Sequence, residues 1–300
     1  MRATTRATAA GGSATVGGRS QSAPRLYRAL RAVRSNAPTL AGLVIVAGFV
    51  VMAILAPKIA PYDPRQQSMI ERLHPPSVAH VFGTDEYGRD VYSRVVFGAR
   101  VSLAVAVGSI LTGGTAGTIL GMFAGLFGGR FDSTLSAVVD MLLSFPNLML
   151  GLLFVVVFGT GLLGVIGAIS LSLVPRFVRV SRGPTLSVRE REYIEASRAM
   201  GAAATRTVFR HVLPNILGPV VVSTSLWMAS AILLEANLSF LGLGVAPPTP
   251  TWGNMIRDGT VVMFRAPWLA ICPGLAIMAA VMAFNLLGDG LRDALDPRET

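Results

Sequence analysis

The chain has 300 residues, of which 52% are hydrophobic and only 14% charged, against roughly a quarter charged in an ordinary soluble domain. So little charge cannot cover the outside of a soluble fold of this size, which excludes a disordered chain, a disulfide scaffold and most soluble enzymes and leaves a polytopic membrane protein. The formal charge is nevertheless +10, carried by 26 basic residues that are all arginine except Lys58.

A crossing helix needs about 20 mostly apolar residues, and a charge at its centre costs about 2.5–3.5 kcal/mol, so uncharged windows mark the spans. Residues 1–38, rich in Ala, Thr, Gly, Ser and Arg, read as a disordered Arg-rich cytoplasmic tail. The first span follows over Thr39–Ala56, within an anchor segment 39–57. It is long for the apolar region of a secretory signal, and Pro57 follows the one small-residue cleavage position, so it reads as uncleaved. Residues 58–97 form an extracytoplasmic loop. In it Thr84 or Asp85 is placed to cap a surface helix, with Asp85/Arg89 and Asp90/Arg94 as i,i+4 pairs. Residues 98–290 make a core of five further spans. The second fills the window between Arg100 and Arg130. The third runs over about 133–158 and contains Asp140, five residues before Phe145-Pro146, where the proline is placed to kink the helix. The turn cluster Gly159–Gly164 separates it from a fourth, from Val165 into the 170s. The fifth covers about 216–238 and the sixth about 268–287, leaving a C-terminal tail at 291–300.

The arginines orient this set. With both termini cytoplasmic, segments 1–38, 176–210 and the inner ends carry most of the basic residues, as the positive-inside rule requires, although the 58–100 segment blunts the contrast. The expected architecture is all-α, with six transmembrane helices.

Four features say more than membrane helix. Gly113, Gly117, Gly121 and Gly125 recur every fourth residue of the second span, giving a smooth strip for close packing or for a sliding interface. Asp140 and Glu235 are ionisable residues inside spans, with Asn147 as a further polar candidate and with Asn237 and Ser239 placed to share hydrogen bonds with Glu235; such groups line a pathway or tie helices together. Arg176, Arg179 and Arg182, at the end of the fourth span, suit snorkelling to phosphates. The loop 184–214 reads as two short helices joined at Gly201, with Tyr193, Ile194, Ala196 and Met200 on an apolar side and Pro214 setting the start of the fifth span. A solvated linker would not need that small-residue face; a docking surface would.

That loop carries a resemblance. Glu195-Ala196-Ser197, Met200-Gly201 and then His211, Leu213 and Pro214 resemble the "EAA" loop of bacterial ABC importer permeases, with Ser197 and His211 departing from the general pattern. The histidine form, Arg210-His-Val-Leu-Pro-Asn215, is similar to the dipeptide/oligopeptide/nickel branch. Phe82–Arg94 resembles the segment before the second span of its C-type subunits. Phe240–Gly244, Pro247–Gly253 and Phe284–Pro297 resemble that branch's closing blocks.

The resemblance implies a type I ABC importer permease in a bacterial-type cell (inner or plasma) membrane, forming half of a translocation pathway. It implies a second, B-type permease subunit, two ATP-binding cassette ATPase subunits or one fused chain, and an extracytoplasmic substrate-binding protein. The loop would then be the segment that couples the permease to ATP hydrolysis. Peptides are the leading substrate, with nickel or another small solute as the alternative and an ion-coupled secondary transporter as a rival class. ATP and Mg would sit on the partner ATPases. The chain has no Gly-x-x-x-x-Gly-Lys-Ser/Thr loop of its own, since Lys58 lies in Ala-Pro-Lys-Ile-Ala, and Cys272, His74, His80 and His211 are too few and scattered for a metal site. No catalytic residue, bound cofactor or metal is therefore expected, nor a nucleic-acid partner; the bilayer is the surface that the arginines address.

Overall fold

A computed structural model describes residues 36–295. The expectations for residues 1–35 and 296–300, which include most of the N-terminal tail, lie outside the described residues. The described chain is helical in the order α1 (Ala37–Ile59), α2 (Val91–Phe127), α3 (Gly129–Leu143), α4 (Asn147–Phe158), α5 (Leu162–Arg189), α6 (Glu192–Ala199), α7 (Ala204–Phe240), α8 (Trp252–Val261) and α9 (Trp268–Leu295). Five of these helices are long and apolar enough to cross a membrane, and α3 with α4 makes a sixth crossing if the bent pair counts as one span.

The expected third span is corrected here: it is not one helix over 133–158 but two, bent by 103° at Ser144–Pro146. Proline has no amide hydrogen and pushes the residue before it out of the helical region. The hydrogen bonds of α3 therefore close on themselves, with Ser144 N–H donating to Asp140 O at 3.1 Å and Phe145 N–H to Leu142 O at 3.3 Å. The α4 ladder begins anew with Leu150 N–H and Pro146 O.

The surface helix expected before the second span is also corrected. Gly83 and Gly88 both hold positive φ (72° and 69°), which no helix accommodates, and the segment is a tight loop closed by a bridge between Thr84 and Asp90. Asp85 caps nothing helical. It accepts hydrogen bonds from Tyr87 N–H (2.8 Å), Arg89 N–H (3.0 Å) and Arg89 Nε (2.6 Å), and lies 3.5 Å from Arg94 Nε. Asp90 is the true cap, its carboxylate accepting from Ser93 N–H at 2.7 Å; Arg94 therefore pairs with Asp85 rather than with Asp90. With Arg94 buried beside Asp85, which it shares with Arg89, the helix starts at Val91 rather than near residue 101. At 37 residues α2 is about 55 Å long, more than the hydrocarbon thickness, so part of it stands outside the bilayer.

The principal core is built between α2, α5, α7 and α9. Leu103, Ile169, Leu173, Phe177, Ile232 and Phe284 are buried there, and the Phe177 and Trp227 rings meet edge to face at 4.3 Å. The α1 helix packs on α9, where a Cβ at Gly42 would stand 2.8 Å from Ala283 O. At the end of the bundle that holds the 60–90 loop, α8 is pinned by the fully buried Trp252, whose Nε1–H donates to Val95 O at 3.0 Å.

The glycine strip is a packing surface against α5. A Cβ at Gly117 would lie 2.6 Å from Val174 O and one at Gly121 2.5 Å from Val178 O. Gly113 and Gly125 lie against the backbone at Ser170 and Arg182 in the same way. Each glycine thus meets a carbonyl four residues further along α5, and the two backbones touch along the whole contact.

Candidate functional site

At the opposite end of the bundle α5 runs almost directly into α6, and Ile194 N–H and Glu195 N–H bond back to Arg191 O. Gly201 ends α6 with φ +77°, and Ala202 N–H donates to Ser197 O at 3.1 Å, the six-to-one bond of a Schellman cap that only a residue tolerant of positive φ permits. The chain then enters α7 at Ala204. Pro214 does not start that helix, as its sequence position suggests. A π-turn over Val208–Val212 widens the coil ahead of the proline, which relieves the clash its ring would otherwise make with the preceding turn.

What seats α6 is Ile194. It is fully buried in a cluster with Met122 and Leu126 of α2, Val188 of α5, and Val208, Val212 and Ile216 of α7. Ser197, one turn on, is buried on the same side. A second tie runs from Asn215 Nδ2, which donates to Tyr193 Oη at 3.3 Å and to His211 O at 2.7 Å, while the Tyr193 and His211 rings meet at 6.1 Å. Glu195, Ala196, Met200, Gly201 and Pro214 stand outward, with Met200 82% exposed. The apolar side expected for α6 is therefore divided: Ile194 is buried in the bundle and Tyr193 is tied to α7 at its rim, while Ala196 and Met200 stand outward. Of the loop residues singled out by sequence, Leu213 packs against the buried cluster and His211 is half-buried. Sequence reasoning named Ile194 as apolar but not as the anchor. The signal was its spacing of three from the small Ser197, which puts the two on one side of a helix.

The polar residues within the spans do not converge. Glu235 of α7 is fully buried and accepts hydrogen bonds from Ser102 Oγ of α2 at 2.8 Å and from Ser239 Oγ at 2.7 Å. Asn237 is exposed on another face of the helix and takes no part, so the expected partnership holds for Ser239 alone, with Ser102 as the residue that sequence could not supply. Asp140 pairs with Arg179, and Asp132 holds Arg182 through both carboxylate oxygens, Nη2 to Oδ2 being 2.6 Å. These two arginines are thus engaged by carboxylates of their own chain rather than reserved for phosphates. Asn147 lies at the start of α4 with its side-chain oxygen buried and without a hydrogen-bond partner. The glutamate tie predicts a sharp contrast. Glu235→Gln keeps acceptor and donor capacity for both serines and lowers stability by less than about 1 kcal/mol. Glu235→Ala strands both and costs about 1–3 kcal/mol for each unsatisfied hydroxyl. The midpoint of thermal aggregation of the solubilised chain measures the difference.

A helical membrane protein with a cap-ended helix standing on the junction of three spanning helices is the class that fold and site define. Residues 117–300 match the family of binding-protein-dependent transport system inner membrane components, and residues 25–76 match the N-terminal membrane domain of oligopeptide transport permease C. The chain is 40% identical over 270 residues to a dipeptide transport system permease protein of Alkalihalophilus pseudofirmus, covering 90% of this chain and 89% of that one. It is 41% identical over 269 residues to a glutathione transport system permease protein of Pectobacterium atrosepticum (89% of each chain) and to a di/tripeptide transport system permease protein of Pseudomonas aeruginosa (88% and 89%). The chain belongs to the binding-protein-dependent transport system inner membrane component family and is a multi-pass ABC transporter permease subunit of the C type.

Proposed function

We propose that this chain forms half of the translocation pathway of an ATP-driven importer of peptides, seated in an inner cell membrane with both termini cytoplasmic. The observation that carries the reading is the α6–Gly201 unit: an exposed face of Glu195, Ala196 and Met200 anchored through Ile194 to α2, α5 and α7 at once. A push on that face reaches three spanning helices through a packed cluster rather than through a flexible linker, which is what coupling to a separate ATPase requires. The peptide substrate is supported by the relatives named for dipeptide, di/tripeptide and glutathione transport, all of them short peptides. The partners are a second, B-type permease subunit, ATPase subunits holding ATP and Mg, and an extracytoplasmic binding protein that delivers cargo. ATP binding closes the ATPases, α6 carries the displacement into the spans, the cavity turns outward to receive cargo, and hydrolysis resets it.

Purification from the native membrane tests this. An ATPase chain co-purifies, and uptake of the radiolabelled dipeptide glycyl-phenylalanine stops with vanadate. Uptake that continues under vanadate, with no ATPase in the complex, gives the function to an ion-coupled carrier instead.

A further inference from the structure

The helix α3 is held differently from every spanning helix around it. Of its fifteen residues only Val139 is buried within the chain. Both its ends are breaks. At the first, Gly128 and Gly129 hold successive positive φ angles of 65° and 62°; at the second, Ser144–Pro146 makes the 103° bend into α4. What fixes α3 to its neighbour is charge: Asp132 to Arg182 as a two-point fork and Asp140 to Arg179, both arginines on α5. The same helix continues to Arg189, whose guanidinium lies against Gly128 at the first break: a Cβ there would stand 2.5 Å from Arg189 Nη1. An element with few buried contacts between two breaks moves at low cost, and a paired arginine fork fixes geometry as well as distance.

We propose that Asp132 and Asp140 are positioning residues for transport, tying α3 to α5 so that α3 travels with α5 and with α4, whose Leu150, Gly151 and Val155 are buried within the chain, and the bend at Ser144–Pro146 keeps its angle. This rests on the reading of α6 as the face on which the ATPase acts, since α5 leads directly into it. The packed cluster moves α2, α5 and α7 as one body; the ion pairs extend that movement to a segment the core does not hold. Neither carboxylate needs to touch substrate.

The test uses the complex purified with its ATPase subunits, with Cys272→Ser and spin labels on cysteines at Ser133 and Ser187 (α3 against α5) or at Ser133 and Met149 (across the bend). All three positions are exposed. Distances are read without nucleotide and after trapping with ATP and vanadate. Both distances are expected to change by no more than about 2 Å on trapping. In Asp132→Asn with Asp140→Asn both distributions broaden and the Ser133–Met149 distance shifts by about 5 Å on trapping, because α3 no longer follows; the exchange Asp132→Arg with Arg182→Asp restores both. A shift across the bend in the otherwise wild-type complex, a double variant that behaves as wild type, or an exchange that restores nothing overturns the proposal. A complex that retains no nucleotide defeats the ATPase reading first, and the proposal with it.

Discussion

Gly121→Leu is expected to abolish accumulation of the folded permease, and Gly121→Ala to cost about 3 kcal/mol, the upper end of ordinary overpacking. A Cβ on Gly121 would stand 2.5 Å from Val178 O and press on the Ser181 hydroxyl, both belonging to a helix in backbone contact along its length. A flexible side chain can turn aside; a carbonyl cannot unless α5 itself retreats. That retreat would loosen the parallel contacts at Gly113, Gly117 and Gly125, so one methyl group spreads its effect over several turns. Gly48→Ala and Gly274→Ala are the controls. Both glycines lie within spanning helices, and an added Cβ meets nothing within 4 Å. There the helix propensity of alanine is expected to stabilise by about 0.5–1 kcal/mol. Membrane levels of the chain and the thermal aggregation midpoint in detergent measure all four variants. Equal behaviour of Gly121→Ala and Gly48→Ala would refute the backbone contact.

The strip itself was legible because glycine at every fourth position has few other uses in an apolar helix. Its partner was not, since α5 answers with carbonyl oxygens at Ser170, Val174 and Val178, and any residue supplies a carbonyl. The spans were legible for the reason that makes membranes simple: a central charge is costly, so uncharged windows outline crossings. The outline failed where tertiary contacts remove that cost. Arg94 sits inside α2 because Asp85 reaches it from the preceding loop, a pairing that the i,i+4 pattern assigned to Asp90 instead. Pro146 marked a bend, but the 103° depends on how α3 and α4 pack, which one residue type cannot encode. The π-turn at Val208–Val212 has no signature of its own; only Pro214 behind it gives the coil a reason to widen. In the candidate site, Gly201 was enough to mark the end of α6. The face that Ile194 buries depended on three helices distant in sequence.

That division of α6 into an anchored side and a free side predicts two variants with opposite signatures. Glu195 is exposed, and reversing its charge disturbs no buried contact, so Glu195→Arg is expected to fold and to reach the membrane at wild-type levels. If α6 is the face an ATPase grips, the new charge meets a surface shaped for a carboxylate. Like-charge contact at a docking face costs several kcal/mol, enough to reduce transport by at least about a hundredfold while the ATPase subunits still hydrolyse ATP. Ile194→Ala acts from the other side. It leaves the outward face chemically intact but empties a fully buried position, at about 2–5 kcal/mol. The expected result is a lower thermal midpoint and a docked ATPase whose hydrolysis no longer responds to the loaded binding protein, because the helix rocks on its seat instead of moving α2, α5 and α7. Titrating the ATPase against each variant in nanodiscs separates them: Glu195→Arg loses affinity, Ile194→Ala loses coupling at saturation. Wild-type uptake by Glu195→Arg would remove α6 from the path between ATP and the membrane. Full binding-protein response in Ile194→Ala would mean that the buried cluster holds the helix in place without carrying its motion.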